Sequence, residues 1–306
     1  LKYFLFILLF FLPLYAQITA YTITPKNSLH VTQQSIKILD AKILYFKIKD
    51  NIPFHEISDL VYENGLVYFV SDQGYLYKFF INITHNKIKS LQYLDAYVLK
   101  NKKGQRLKKK KRDAEGLALY KNNLLISFER KQRVNLYSKE GEKIKKIQLH
   151  KDLQNKKNYV SKNKGLEAVT CNDKYGVITA PELPLKNSNA KYHTLYTKDK
   201  MFKFKADGSI VSLEFFGKNT ILVLLRDFNY LTRRRVTTLM KVYLNKCRQQ
   251  QVCKSKTLAK LDSLDGWKLD NFEGLTHVNA NRYLMVSDDN ENIFQKTLLV
   301  LFEIKP

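Results

Sequence analysis

The chain has 306 residues, 44% of them hydrophobic, enough to bury a sizeable core and too many for a disordered or fibrous protein. Lys and Arg number 53 against 28 Asp and Glu, and the formal net charge of +25 is unusually basic for a soluble enzyme. With 19 Tyr and 18 Phe but only 11 Gly and 6 Pro, the composition leans towards β structure and away from collagen-like or coiled-coil chains.

Residues 1–16 read LKYFLFILLFFLPLYA. Lys2 precedes an apolar run from Tyr3 to Leu14, and the small residue Ala16 closes the segment. The pattern reads as a bacterial signal peptide cleaved near Ala16. The run is too short for a comfortable membrane span of about 20 residues, although an uncleaved anchor is the alternative. Export to the periplasm or the medium follows. It excludes nucleic acid as a partner and leaves no transmembrane segment after cleavage. Residues 17–36 form a lead segment, and residues 37–306 form one domain.

Five segments of that domain share a strand–turn–strand pattern. They are Ser58 to Gln73, Asp113 to Arg130, Gly165 to Glu182, Ser212 to Asp227 and Asn271 to Asp289. Each opens near an acidic residue, namely Asp59, Glu115, Glu167, Glu214 and Glu273. Each continues through a short apolar run, a polar turn and a second, strongly apolar run. A spacing near 50 residues is that of a four-stranded propeller blade. The fifth pair is followed by one strand-like run, TLLVLFEI, and lacks a last strand. The stretch AKILYFKI, residues 41–48, has no blade of its own and is placed to supply it, closing the ring and hiding sheet edges. The fold expected is all-β: a propeller of five four-stranded antiparallel blades closed by an N-terminal strand. A sixth blade would have to come from residues 183–211 or 228–265. The stretch KDLQNKKNYVSK promises one short helical turn.

In an antiparallel pair the start of one strand and the end of the next share a side. The repeats therefore gather carboxylates at one mouth of the central channel. Clustered like charges raise one another's pKa unless a cation neutralises them, and calcium does so with carboxylate oxygens. A bound ion would receive an anionic small-molecule substrate and polarise its phosphoryl or acyl oxygen. On this reading Asp59, Asp72, Asp113, Asp288 and Asp289 are metal ligands, and Glu115, Glu167, Glu273 and His277 are catalytic. Arg112, Arg130 and Arg226 bind the anion through their planar forks. The alternative role for a carboxylate at a strand start is ring closure, by accepting backbone N–H groups of a neighbouring blade. Glu214 is the weakest member, because LEFFG lacks the small residue that follows the acid elsewhere. The run RLKKKKR, Arg106 to Arg112, is a solvated loop that also draws anions towards the mouth.

Cys247 and Cys253 lie in KCRQQQVCK between two β-like runs. In an oxidising compartment they would staple a hairpin tip; unpaired thiols are the alternative. Cys171 reads as a buried, inert thiol. No G-x-S-x-G elbow, Walker loop, GxGxxG or HExxH motif occurs.

The stretches Asp113-Ala-Glu-Gly-Leu, Lys164-Gly-Leu-Glu-Ala-Val, Asn271-Phe-Glu-Gly-Leu and Val286-Ser-Asp-Asp-Asn resemble the phytase-like family known as esterase-like activity of phytase. Phe54-His-Glu-Ile-Ser-Asp-Leu with Phe69-Val-Ser-Asp-Gln-Gly is similar to that family's opening blade. The resemblance covers roughly residues 37–305 and implies an exported propeller that hydrolyses phosphoesters or esters. The Asp-Asp-Pro signature of calcium-dependent propeller phytases is absent from this sequence. Two other functions fit the same residues: a non-catalytic propeller of the cell envelope that binds a ligand or protein, and a lactonase-type propeller hydrolase. A monomer is expected.

Overall fold

The computed structural model describes residues 17–26, 34–46, 52–248 and 251–305, so the expected signal segment lies outside the described residues. Side chains alternate faces along a strand, and a run with few polar interruptions needs cover on both faces. The second run of each repeat is of this kind, and stacking twisted sheets side by side around an axis provides the cover.

Two strands, β1 (Gln17–Ala20) and β2 (Ile36–Tyr45), come first and join the last sheet. The first blade is β3 (Ile57–Glu63), β4 (Leu66–Ser71), β5 (Tyr75–Thr84) and β6 (Lys87–Val98). The second is β7 (Ala114–Tyr120), β8 (Asn123–Phe128), β9 (Arg133–Tyr137) and β10 (Lys143–Ile147). A short helix, α1 (Lys151–Gln154), leads to the third blade, β11 (Leu166–Asn172), β12 (Gly176–Pro181), β13 (Tyr192–Tyr196) and β14 (Met201–Lys205). The fourth is β15 (Ser209–Phe215), β16 (Thr220–Phe228), β17 (Arg235–Cys247) and β18 (Cys253–Asp262). The last is β19 (Asn271–Asn279), β20 (Arg282–Asp288) and β21 (Leu298–Ile304), with β2 as its fourth strand and β1 as a fifth. All pairings between these strands are antiparallel.

The chain is therefore a five-bladed propeller. Residues 183–211 and 228–265 supply outer strands of the third and fourth blades, and no sixth blade is built from them. Closure is as the sequence suggests: β2 pairs with β21 from Ile36 opposite Ile304 to Ile43 opposite Leu298. The lead segment adds β1, which pairs with β2 from Gln17 opposite Tyr45 to Ala20 opposite Lys42.

Each interface between blades holds its own apolar cluster. Leu117 and Ile126 meet Val70 and Leu76 between the first two blades, and Val169 meets Leu125 between the second and third. Val223 packs on Ile178, Phe272 on Leu224, and Phe69 joins Leu284 and Leu299 to complete the ring. Outer strands have only one covered face and carry the lysines, as KIKKI of β10 shows. The disulfide Cys247–Cys253 joins β17 to β18, and Cys171 is a half-buried free thiol whose pKa burial pushes up to about 12.

Candidate functional site

The innermost strand of each blade starts at one mouth of the channel, and the second strand ends there. Three backbone bonds tie the two ends together: Asp72 N–H to Glu56 O (3.2 Å), Glu129 N–H to Asp113 O (3.0 Å) and Glu182 N–H to Gly165 O (3.0 Å). Near this mouth every blade has a register shift between its first two strands, at Ile57/Asp59, Ala114/Leu117, Leu166/Ala168, Ile210/Ser212 and Phe272/Gly274. A bulge re-aims a side chain. The residues within these shifts include Glu115, Glu167 and Glu273, while Ser58 and Val211 occupy the place in the first and fourth blades.

Two of the aligned acids therefore belong elsewhere. Asp59 lies one step past the bulge, fully buried, and clasps the blades together. Its Oδ1 accepts from Leu60 N–H (2.8 Å) and Leu275 N–H (3.1 Å), its Oδ2 from Leu117 N–H (2.8 Å), and the Ser212 hydroxyl donates to both oxygens. The structure gives it the ring-closure role rather than a place among the mouth carboxylates. Glu214 sits opposite Leu222, farther along β15, away from the bulge. Burial raises its pKa to about 7, against bonds from His277 N–H and Phe215 N–H.

The Glu-Gly pair has a packing reason. A Cβ on Gly116 would lie 2.6 Å from Ser127 Oγ and 2.7 Å from Glu167 O, and one on Gly274 would lie 2.8 Å from Asp59 Oδ1. Below the bulge the channel has no room for a side chain in these two blades.

At the mouth the carboxylates form a continuous arc. Single oxygens of Asp113, Glu115 and Glu129 lie within 4.8 Å of one another, as do those of Glu129, Glu167 and Glu182. Asp113 is paired with Arg130, whose Nε is 3.1 Å away. Glu182 accepts from Lys164 Nζ at 2.6 Å, and Glu129 from Gly165 N–H at 3.4 Å. Among the described residues no hydrogen-bond donor reaches the carboxylates of Glu115 or Glu167. Across the channel the fourth blade contributes Arg226 instead of an acid. It donates to Glu273 and to Asn271 Oδ1 (2.5 Å), with Glu182 3.7 Å from its other nitrogen. Arg226 therefore serves first as an internal counter-ion.

The electrostatics follow this asymmetry. Burial raises the pKa of Glu115 well above the usual carboxylate range, and Glu167 and Glu273 add to the shift. Glu167 is raised well above that range by burial and then by Glu182. Glu273 is raised by burial, but Arg226 pulls against it. Burial, with Glu56 and Asp113 nearby, lifts Asp72 to about 8; burial and Asp113 lift Glu129 to about 7. Asp288 is raised well above its usual range by burial and then by Glu273, although it accepts from Asn290 N–H at 2.8 Å.

A pH dependence follows. An acid with a raised native pKa holds a proton that the unfolded chain has already released, so stability falls as pH rises between the two values. For Asp72 and Glu129 that window runs from about 4 to about 8. In chelator, the melting temperature is expected to fall by about 5–10 °C across this window. A melting temperature that climbs over the same range would overturn this account.

The remaining sequence candidates are dispersed. His277 lies opposite Tyr283, towards the other end of β19, and its Nε2 is 3.0 Å from Ala280 O; the structure does not bring it to the acidic mouth. Asp289 is occupied within its loop, accepting from Glu56 N–H (3.0 Å), Glu291 N–H (3.2 Å) and the Thr297 hydroxyl (3.0 Å). Arg112 turns its Nε to Leu107 O at 2.7 Å and packs against Gly74.

Beside the mouth lies a cleft of about 410 Å³. Lys164, Arg226, Arg233, Arg235 and Asn271 line it, and Glu182 belongs to both the cleft and the carboxylate arc. Sequence reasoning passed over Lys164, Arg233, Arg235 and Asn271. Asn271 stands two residues before Glu273, where Asp113 stands before Glu115, and that shared position was the available signal for it; Lys164 lies one residue earlier, next to Gly165.

A family model, Phytase-like, described as esterase-like activity of phytase, matches residues 52–291. No curated protein matches the chain in sequence. Among solved structures, glutaminyl cyclase of Myxococcus xanthus is similar in fold, with a TM-score of 0.50 and 12% identity over 89% of this chain and 97% of that one. The computationally designed Ika4 protein (TM-score 0.30, 10% identity, 68% of this chain and 95% of that one) and a chain of the mitotic checkpoint complex (TM-score 0.39, 9% identity, 87% and 69%) match more loosely.

Proposed function

Because the chain belongs to the phytase-like family described as esterase-like activity of phytase, we propose that it is an exported, metal-assisted hydrolase of phosphoesters or related esters of small anionic molecules. One observation carries this reading: Glu115 and Glu167 lie along the carboxylate arc at the mouth, each beside Glu129, and among the described residues no donor reaches either carboxylate. Such a pair either holds protons or holds a cation. The donor set is all oxygen, which suits calcium better than a soft metal. Asp113, Glu115 and Glu129 would hold the ion, with Glu167 next along the arc beside Glu129. When bound, it supplies Lewis-acid polarisation of the phosphoryl or acyl oxygen.

The chain's own residues do the rest. Lys164, Arg233 and Arg235 take the substrate's anionic groups in the cleft that shares Glu182 with the arc. Arg226 pairs with Glu273 and fixes Asn271 at the cleft wall. Asp72, whose pKa burial lifts to about 8, adds a further carboxylate to the field at the mouth. No helix among the described residues is long and apolar enough to cross a membrane.

The decisive assay incubates the protein with phytate, nitrophenyl phosphate, nitrophenyl acetate and a lactone, with calcium and with chelator. Turnover of a phosphate or acetate ester that chelator abolishes is the expected result. Turnover of the lactone alone would identify a lactonase. No turnover, with a melting temperature indifferent to calcium, would leave a binding propeller and end the hydrolase reading.

A further inference from the structure

The mouth face carries more than the carboxylate arc. Tyr230 and Leu231, in the loop between β16 and β17, are 81% and 95% exposed. Ile293 and Phe294, in the loop between β20 and β21, are 91% and 82% exposed. The two loops are neighbours, because Tyr230 and Arg233 of the first line the same cleft as Asn292 and Gln295 of the second. Single exposed apolar residues are ordinary, but four large ones at the tips of adjacent loops mark a contact surface.

On the other side of the mouth, a second cleft of about 710 Å³ is walled by cations. Lys110, Lys131, Lys156, Lys157, Lys162 and Lys186 line it with Arg130, and no acidic side chain is among its walls. The Arg130–Asp113 pair ties this cleft to the carboxylate arc. In a propeller, the loops from second to third strand and from blade to blade emerge on one face. The apolar tips and the lysine wall therefore share a side.

We propose that this face docks on an anionic phospholipid surface. Apolar tips enter the boundary between headgroups and acyl chains, while lysines near an anionic leaflet are drawn to its surface potential. A protein partner fits less well, because protein interfaces are depleted in lysine. Docking in this orientation turns the mouth towards the lipid. The proposal concerns binding alone and stands whether or not the mouth hydrolyses anything.

Flotation of the full chain with phosphatidylcholine vesicles, and with vesicles containing about one-third phosphatidylglycerol, tests it. Binding to the anionic vesicles is expected to be at least about tenfold tighter and to weaken with salt. The double variant Leu231→Asp, Phe294→Asp is expected to lose about tenfold or more, with an unchanged melting temperature because both side chains are exposed. Lys156→Glu with Lys157→Glu should weaken binding and flatten its salt dependence. The apolar 1–16 segment is common to every variant and cancels in the comparison. Equal binding to both vesicle types, or full binding by the Asp variant, would overturn the proposal. So would a dimer in solution that the Asp variant converts to monomer while vesicle binding persists, since the tips would then join two copies.

Discussion

Replacing Asp59 with Ala should cost about 4–6 kcal/mol and leave little folded protein at 37 °C. The carboxylate accepts N–H groups from the first, second and fifth blades and a hydroxyl from the fourth. Removing it orphans three buried donors, each costing about 1–3 kcal/mol when left without a partner. Burial drives the Asp59 pKa well up while the three N–H bonds pull it down. A neutral side chain of the same shape is therefore tolerated better, and Asp59→Asn should lose only about 1–3 kcal/mol. Urea denaturation of the three proteins measures the difference. An Ala variant within about 1 kcal/mol of the parent would show that the blades close without this clasp.

The second large effect separates the two halves of the mouth. Glu115→Gln should abolish stabilisation by calcium and lower ester turnover about 100-fold or more, the scale of a lost electrostatic contact in catalysis. In chelator the same variant should be more stable than the parent, because it removes a buried acid that must take up a proton to sit there. Glu273→Gln should behave in the opposite way. It strips the half-buried Arg226 of its main partner and should destabilise the protein by about 2–3 kcal/mol with or without calcium. Paired melting curves with calcium and chelator, alongside kcat, read both outcomes. If the two variants respond alike, the division between a cation-seeking side and an arginine-neutralised side is wrong.

The parts of the fold that were legible share one cause. The first two strands of each blade are covered on both faces, so runs such as LVYFVS and NLLISF stand out against a lysine-rich background. Outer strands have one face in water and stand out less, yet runs such as YLYKFFI and KIKKIQL still read as weaker strands after most pairs. The mouth was legible where an acid coincides with the bulge, at Glu115, Glu167 and Glu273. Aligning the repeats by charge placed Asp59 one residue out and Glu214 three residues out, because the structure aligns them by the register shift. His277 was drawn in by belonging to the right strand. Four residues of extended chain separate it from Glu273, and at about 3.3 Å each they carry it some 13 Å down the channel. Lys164, Arg233 and Arg235 were hidden in the general excess of cations.

The closing blade sets an order on synthesis. β21 lies between β20 and β2, so its partners come from opposite ends of the chain. While the last blade is still being made, β2 has only β1 to pair with, and its other edge waits open through four complete blades. The ring can shut only after β21 has emerged, and the slowest contact to form joins β2 to this last strand of the ring. Until then the nascent chain presents an open edge, which makes the interval before β21 emerges the period of greatest exposure to misassembly.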